Sequence, residues 1–169
     1  EEKIKNNVKE VIDIGEGKVN LLVNGGFETD SGLAGWNYTS GVVLRTSQSL
    51  DGTRYLEFPA SANSYDSISQ LVKLTSGVNT ISLDLSSAFA IDVTVGVKIT
   101  NTLSSAVVAR FEFAKNERLN DYTNGYDVKR VSESFSVSSE AYYKVEIFVS
   151  GDSGAGSSSV YIDNVMLTD

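Results

Sequence analysis

Arg110 and Glu112 lie two positions apart in the apolar segment 106–114, with Phe111 between them. Side chains two apart on a β-strand point to the same face, so a strand here would place the guanidinium beside the carboxylate. Planar polar groups of this kind form paired hydrogen bonds with hydroxyl-rich molecules. An adjacent arginine also favours the ionised form of a carboxylate, which suits binding better than proton donation. The pair therefore indicates a binding surface.

Aromatic residues supply the second component of such a surface. The chain has eight tyrosines, seven phenylalanines and one tryptophan. A sugar-binding surface typically combines planar polar groups with an exposed ring, against which the C–H face of a pyranose packs. Tyr142 is the preferred candidate for an exposed ring because it lies at an outward-facing position, next to the inward-facing Tyr143. Trp36 is as well suited to packing inside the protein as to contacting a ligand. The candidate exposed rings are Trp36, Tyr38, Tyr65, Tyr122, Tyr126 and Tyr142.

The predicted site combines these rings with outward-facing polar residues. One tryptophan is too few for a flat crystalline polysaccharide, so the expected ligand is a single glycan chain or a terminal sugar held in a cleft. The predicted carbohydrate-binding residues are Trp36, Asp84, Lys98, Arg110, Glu112, Tyr122 and Tyr142.

Hydrolysis of a glycosidic bond is the catalytic alternative for these acidic residues. It requires two carboxyl groups about 5–9.5 Å apart, one of them acting as an acid. The sequence has no Glu-x-Asp-x-Glu triplet, and Glu117 is out of strand register with Glu112. Asp84 is the acid expected to approach Glu112 across a sheet. We therefore predict that the protein is not an enzyme.

Composition excludes several other kinds of site. Cysteine and histidine are absent, which excludes disulfides, thiolate metal sites and imidazole-based catalysis. Any metal ion would be held by oxygen, as calcium and magnesium are. The net charge of −8 argues against nucleic acid, which is bound by basic patches. No window approaches the roughly 20 apolar residues of a membrane span.

Short segments with alternating apolar residues predict strands throughout the chain beyond residue 20. Turn-forming sequences such as Ser76-Gly77 and Asn124-Gly125 separate them. Many short strands without an internal helix indicate an all-β fold, an antiparallel β-sandwich. The predicted strands are 41–46, 55–58, 67–74, 80–88, 91–100, 106–114, 128–137, 141–150 and 160–167.

Residue parity predicts the face on which each side chain lies. Most of the large apolar residues between 81 and 113 are odd-numbered, and so are those in 131–137 and most of those in 143–149. Because successive side chains of a strand point to opposite faces, these residues should form the core. The last segment, 160–167, also alternates with a period of two. The outward-facing set includes Asp84, Lys98, Arg110, Glu112, Tyr142, Lys144, Glu146 and Phe148.

Residues 1–19 differ from the rest of the chain. Ile4, Val8 and Val11 recur at helical spacing among charged residues, with Gly15 and Gly17 after them. The pattern predicts a short N-terminal helix; a solvated linker is the alternative, because about three turns are marginal in water. A helix here would end a stalk, or an oligomerising coil, in a longer protein. The predicted organisation is a helical linker or stalk end at 1–19 and a β-domain at 20–169.

Two motifs at opposite ends of the β-domain resemble a known family. Leu-x-Asn-Gly-x-Phe-Glu, followed by a loop and Gly-Trp, opens the domain, and Tyr-Ile-Asp-Asn-Val-x-Leu closes it. Together they resemble the carbohydrate-binding modules of families 4, 9, 16 and 22, with a looser match at 69–83. The resemblance implies a β-sandwich jelly roll that binds glycan chains and usually carries a structural calcium ion. The matching residues are Leu22, Asn24, Gly25, Phe27, Glu28, Gly35, Trp36, Tyr161, Ile162, Asp163, Asn164, Val165 and Leu167.

The resemblance also implies a set of calcium ligands. In the family, the ion connects the first motif with the last strand and with a loop before the third strand. The corresponding groups here are the Gly26 carbonyl, Glu28, the 51–54 loop with Asp51 and Arg54, and Asp163. The alternative is that Glu28 and Asp163 are only turn and capping residues.

Two functions follow from these observations. The first is a non-catalytic carbohydrate-binding module that targets a larger protein to an oligo- or polysaccharide. The larger protein would be extracellular, either a secreted glycan hydrolase or an adhesin of a phage tail or cell surface. The second is a structural jelly-roll spacer or assembly domain that has no sugar site.

Overall fold

The computed structural model describes residues 18–29, 32–46, 54–88, 92–115 and 128–169. Regular secondary structure within these ranges consists of β-strands. No helix in the described ranges is long and apolar enough to cross a membrane. The strands are β1 (Asn37–Tyr38), β2 (Val43–Arg45), β3 (Tyr55–Ala60), β4 (Tyr65–Leu74), β5 (Gly77–Ala88), β6 (Val93–Asn101), β7 (Val107–Lys115), β8 (Lys129–Val137), β9 (Ala141–Gly151) and β10 (Ser158–Thr168).

The strands form two antiparallel sheets. The front sheet has the order β1-β4-β9-β6-β7, and the back sheet has the order β2-β3-β10-β5-β8. Consecutive strands alternate between the sheets from β3 to β6 and again from β7 to β10, which is the winding pattern of a jelly roll. The predicted all-β antiparallel sandwich is confirmed. The predicted strands correspond to β2–β10, and the two-residue β1 is an addition.

The core lies between the inner faces of the two sheets. Odd-numbered apolar residues of β5, β6, β8 and β9 are buried there, among them Ile81, Val97 and Ile147. The parity prediction is therefore confirmed for these strands. It fails for Val107 in β7, which is exposed. The reason is a register shift between Ile99 and Thr100 of β6, which pairs Val107 with the outward-facing Thr100.

The inward-facing side of β10 changes half-way along the strand. Val160 and Ile162 point into the core before a register shift between Asp163 and Met166, whereas Val165 within the shift and Leu167 beyond it are the buried residues of the second half. Within the shift, Asn164 has a left-handed backbone conformation with φ of 49°. A β-bulge of this kind inserts one residue and moves the alternation by one position. The strict period of two predicted for 160–167 therefore holds only up to the bulge.

Asn20 fixes the first motif against β10 without forming a strand. Its Nδ2 donates a 2.9 Å hydrogen bond to the Val165 carbonyl. Its Oδ1 accepts hydrogen bonds from the backbone N–H groups of Leu22 (3.1 Å) and Leu167 (2.9 Å). A backbone bond from Leu21 N to Leu167 O (2.8 Å) adds to the contact. The two ends of the β-domain are therefore joined through Asn20 and Leu21.

The predicted N-terminal helix, and the oligomerisation proposed for it, fall on residues 1–17, outside the described residues. Because Asn20 and Leu21 join the first motif to β10, we expect a truncated chain starting at Val19, which keeps both residues, to fold. Its melting temperature, followed by circular dichroism, should stay within about 4 °C of that of the full chain, which is a change of roughly 1 kcal/mol.

A second truncation provides the control for this prediction. A chain starting at Val23 also lacks Asn20 and the fully buried Leu22. It should be destabilised by several kcal/mol, since removing one buried leucine side chain alone costs about 2–5 kcal/mol. If the chain that starts at Val19 is the one that fails to fold, residues 1–18 make contacts that the β-domain needs.

Candidate functional site

The outer face of the front sheet brings four of the predicted site residues together. In the strand register, Lys98 of β6 lies opposite both Glu146 of β9 and Arg110 of β7. Glu112 is two positions from Arg110 along β7, and Tyr142 is four positions from Glu146 along β9. Because these spacings are even, the side chains lie on one face. Lys98, Arg110, Glu112 and Tyr142 therefore share a surface, as parity predicts.

Phe148 organises one end of this surface. It points outwards from β9 but is only 2% exposed. It lies over Gly96, where an added Cβ would be 2.6 Å from Phe148 Cζ. Tyr65 of β4 stacks on it with ring centroids 5.6 Å apart and an interplanar angle of 12°. The guanidinium carbon of Arg110 is 5.0 Å from the ring centroid, a cation–π contact. Phe148 thus supports both Tyr65 and Arg110.

Glu146 is a buried carboxylate beside this stack. Its Oε2 accepts a 2.6 Å hydrogen bond from the Tyr65 hydroxyl, and its Oε1 is 3.7 Å from Nζ of both Lys98 and Lys144. Burial, and then the hydrogen bond to Glu146, raises the pKa of Tyr65 above its usual value. Tyr65 therefore remains a protonated donor to Glu146 at physiological pH. Its side chain is still 48% exposed.

Arg110 and Glu112 form the ion pair that their spacing predicts. The distance from Arg110 Nη1 to Glu112 Oε1 is 2.8 Å. The Arg110 side chain is 50% exposed. Phe148 holds the guanidinium from below and Glu112 holds it from the side, so its orientation is fixed while part of it faces solvent. A fixed, partly exposed guanidinium can donate hydrogen bonds to ligand hydroxyls.

Tyr142 lies at the other end of the surface and is 56% exposed. It pairs with Lys73 of β4, whereas Tyr65 pairs with Ser150 of β9. The stretch of β9 from Tyr142 to Ser150 is about 27 Å long, at about 3.4 Å per residue. Two half-exposed tyrosine rings therefore flank the charged groups, at a separation that suits an extended chain of several sugar rings.

Trp36 is part of the core and not an exposed ring. It is 6% exposed, and its Nε1 donates a 2.9 Å hydrogen bond to the Asn24 carbonyl. Its ring centroid is 5.8 Å from that of Phe27. The Asn24 side chain holds the loop around the indole by donating to the carbonyls of Gly32 and Ala34. The expectation of an exposed platform at Trp36 is wrong, because the first motif folds around this ring.

Asp84 lies on the opposite surface of the protein from Glu112. It belongs to β5 in the back sheet, where Arg130 Nη1 donates to Asp84 Oδ1 and Asn164 Nδ2 donates to Asp84 Oδ2, both at 3.1 Å. Arg130 also donates to the Asn164 carbonyl at 2.6 Å. The expectation that Asp84 approaches Glu112 across a sheet is wrong, because parity predicts the face of a strand but not its sheet.

Of the other predicted aromatic residues, the structure describes Tyr38, which does not join the front-sheet site. Tyr38 is exposed on β1, at the sheet edge opposite β7. Tyr122 and Tyr126 lie outside the described residues, so the prediction for Tyr122 stays a prediction.

Sequence reasoning missed the supporting residues Phe148 and Glu146. Their outward position was visible in the sequence, but their burial was not. Gly96 explains the burial of Phe148, since a glycine opposite an outward-facing phenylalanine leaves space for the ring. That signal depends on cross-strand register, which a single sequence does not supply.

The predicted calcium ligands lie where the first motif meets the loop before β3 and at the bulge in β10. Glu28 Oε1 accepts a 3.0 Å hydrogen bond from the backbone N–H of Arg54, whose Nη1 donates to the Glu28 carbonyl at 2.7 Å. Asp163 is fully buried in β10, and Gly26 is buried as well. Asp51 lies outside the described residues.

These groups have the chemistry that calcium requires, since they are carboxylate and carbonyl oxygens. Within the described part of the chain, however, no group of three or more histidine, cysteine, aspartate or glutamate residues is placed to hold a metal ion. The donor type fits calcium, and the ligand set stays a prediction.

Comparison with known proteins finds similar folds among solved structures. No protein-family model and no curated protein matches the chain. Among solved structures, TmCBM61 in complex with β-1,4-galactotriose matches with a TM-score of 0.64 and 18% identity, over 88% of this chain and 97% of that one. A family 16 carbohydrate-binding module (module 2) matches with a TM-score of 0.59 and 18% identity, over 89% and 100%.

A third similar structure is part of a larger enzyme. The arabinose-bound MgGH51 α-L-arabinofuranosidase matches with a TM-score of 0.62 and 18% identity, over 91% of this chain but 27% of that one. Identities this low relate the folds and leave the ligand open. The chain has the β-sandwich fold of carbohydrate-binding modules, as its two terminal motifs imply.

Proposed function

We propose that this protein is a non-catalytic carbohydrate-binding module that holds a glycan chain on the outer face of its front sheet. One observation carries the proposal: the half-exposed rings of Tyr65 and Tyr142 lie on the same face as the Arg110–Glu112 pair. Tyrosine faces pack against the C–H surface of pyranose rings, and the charged pair binds hydroxyls. The fold shared with carbohydrate-binding modules supports this assignment.

The carboxylates of this face favour binding over hydrolysis. Glu146 is buried, and its oxygens lie against Tyr65, Lys98 and Lys144. A buried carboxylate that is already engaged cannot reach a glycosidic oxygen. Glu112 is then the accessible acid among the described residues of the face, and glycoside hydrolysis normally needs a pair.

Single-residue variants on the two sheets test where the glycan binds. A glycan array or affinity-electrophoresis screen first identifies a ligand, against which Tyr142→Ala and Arg110→Ala are titrated. Both should bind more weakly than the wild type, and Tyr142→Ala more so, because it loses packing area as well as a contact. Arg45→Ala is the matched control, since Arg45 is also 50% exposed and paired with a glutamate, but lies on the back sheet.

The possible outcomes separate the two functions considered. If the front-sheet variants bind like the wild type and Arg45→Ala does not, the site is on the back sheet. If the wild type binds no glycan in the screen, the structural-spacer function replaces the proposal.

We further propose that the module targets a larger extracellular protein to its glycan. The match to about a quarter of an arabinofuranosidase chain supports this, because a fold of the same kind there forms one part of a glycan-degrading enzyme. A fluorescent protein fused to this chain should sediment with the insoluble form of the identified polysaccharide. The same fusion carrying Tyr142→Ala should stay in solution; sedimentation of both would contradict the proposal.

We also propose a structural calcium ion at Glu28, Asp163, the Gly26 carbonyl and the 51–54 loop with Asp51 and Arg54. An ion bound only by the folded state at a hundredfold excess over its Kd stabilises that state by about 2.7 kcal/mol. Chelation with EDTA should therefore lower the melting temperature by about 5–11 °C in a domain of this size. Elemental analysis that finds no metal, together with an unchanged melting curve in EDTA, would remove this proposal.

A further inference from the structure

The outer face of the front sheet is positively charged, although the whole chain has a net charge of −8. Even spacing along β4, β6, β7 and β9 places more cations than anions on it. We call the cations the basic strip. It consists of Lys73, Lys98, Arg110 and Lys144, and the described anions on the same face are Glu112 and Glu146.

The outer face of the back sheet has no surplus of cations. Its described residues include Arg45 and Arg130 against Glu57, Asp84 and the buried Asp163, which lies opposite Asp84 in the register. Arg45 Nε is 2.6 Å from Glu57 Oε1, and Arg130 Nη1 is 3.1 Å from Asp84 Oδ1. Each cation among the described residues of this face therefore has its own carboxylate. The excess of positive charge is a property of the front face and not of the sandwich as a whole.

The two front-face anions do not neutralise the basic strip. Glu112 is paired with Arg110. Glu146 is shared by Lys98 and Lys144, so one carboxylate serves two ammonium groups. Lys73 is exposed and has no ion pair with any described residue. The four cations and two anions described on this face therefore give it a net charge of about +2. This charge lies between Tyr65 and Tyr142, where the glycan is proposed to bind.

We propose that the glycan bound on this face is acidic, with carboxylate or sulfate groups on its sugar rings. This inference rests on the proposed function of the front sheet. A neutral glycan would gain only hydrogen bonds from the surplus lysines, whereas an acidic one would also replace their counterions. Each exposed ion pair contributes little alone, but Lys73, Lys98 and Lys144 would act on the same chain.

The negative charge elsewhere on the protein does not prevent this binding. At physiological ionic strength the Debye length is about 8 Å, so distant carboxylates are screened from a ligand on the front face. Charges in contact with the ligand then determine its preference. Because added salt also screens the charges that attract the ligand, binding should weaken as the salt concentration rises.

The test measures the affinity of the full chain for acidic polysaccharides and their neutral counterparts. The panel contains polygalacturonate, alginate, hyaluronan and dextran sulfate, with carboxyl-reduced polygalacturonate, galactan, xylan and dextran as neutral polymers. We expect at least one acidic polymer to bind tenfold or more tightly than every neutral one. Whether the carboxylated polymers or dextran sulfate bind identifies the source of the negative charge.

Lysine variants test whether the preference for acidic polymers depends on the basic strip. Lys73→Gln and Lys144→Gln should each weaken binding of the acidic polymer about two- to fivefold, the range expected for one exposed ion pair. Each should weaken binding of the acidic polymer more than it weakens binding of a neutral polymer. Lys129→Gln is the control, because Lys129 is exposed on β8 of the back sheet, and it should bind like the wild type.

The other outcomes overturn the inference in distinguishable ways. If a neutral polymer binds as tightly as the acidic ones, the ligand is not acidic, but the proposed function stands. If no polysaccharide binds, both fail. If poly-glutamate or single-stranded DNA binds as tightly as the best polysaccharide, the strip is a general anion surface and the glycan assignment is wrong.

Discussion

Replacing Tyr65 with alanine should weaken glycan binding about 30-fold, corresponding to about 2 kcal/mol, the loss typical of a central aromatic residue in an interface. The substitution removes an exposed ring from the binding face. It also uncovers Phe148, on which that ring stacks, and leaves Glu146 without its hydroxyl donor. Isothermal titration with the glycan that the screen identifies measures the change.

Tyr65→Phe separates the two contributions of this side chain. It keeps the ring and its stacking on Phe148 but removes the hydroxyl that bonds Glu146. Because Lys98 and Lys144 remain near Glu146, we expect affinity within about fivefold of the wild type, about the effect of one net hydrogen bond. If Tyr65→Phe loses as much affinity as Tyr65→Ala, the Glu146 contact and not the exposed ring determines binding.

Trp36→Ala should lower the free energy of unfolding by about 3–5 kcal/mol, as for other buried aromatic residues replaced with alanine. The variant loses the contact with Phe27 and the hydrogen bond to the Asn24 carbonyl. Chemical denaturation followed by circular dichroism measures the loss. Tyrosine fluorescence serves as a second probe, since the variant lacks tryptophan.

Trp36→Phe is the matched variant for the core. It keeps an aromatic ring in the core and removes the indole donor, while the Asn24 carbonyl still accepts a 3.3 Å hydrogen bond from the Phe27 N–H. The expected loss is therefore about 1–3 kcal/mol, for one net hydrogen bond and part of the ring packing. Both variants should bind glycan normally at temperatures where they are folded. A Trp36→Ala protein that is as stable as the wild type but does not bind would return Trp36 to the binding site.

The strands and most of their faces are predictable from the sequence because alternation is a local property. Ile81, Val97 and Ile147 lie at the predicted parity, and the same reasoning places Arg110 and Tyr142 outwards. The prediction fails where one residue is inserted, as at Asn164 in β10. The sequence pattern does not reveal such an insertion, because the residues of β10 fit an alternation of two faces whether or not one residue is inserted.

The composition of the site depends on pairings between distant segments. Asp84 and Glu112 have the same parity, yet their strands belong to different sheets. Tyr65 reaches the site only because β4 pairs with β9, some eighty positions away in sequence. Such pairings reflect the packing of the whole domain, so a single sequence predicts which residues are outward but not which of them meet.

The ring of Phe148 over Gly96 has a consequence for how the face binds. Folding already confines Tyr65 and Arg110, because both rest on a buried ring and both are bonded to a glutamate. A side chain that is ordered only on binding costs about 0.5–1.5 kcal/mol of conformational entropy. A ligand bound on this face would avoid most of that cost for these two side chains. Gly96→Ala, whose added methyl would meet both the Phe148 ring and the Phe111 carbonyl of β7, should therefore weaken binding by disturbing the support of Tyr65 and Arg110.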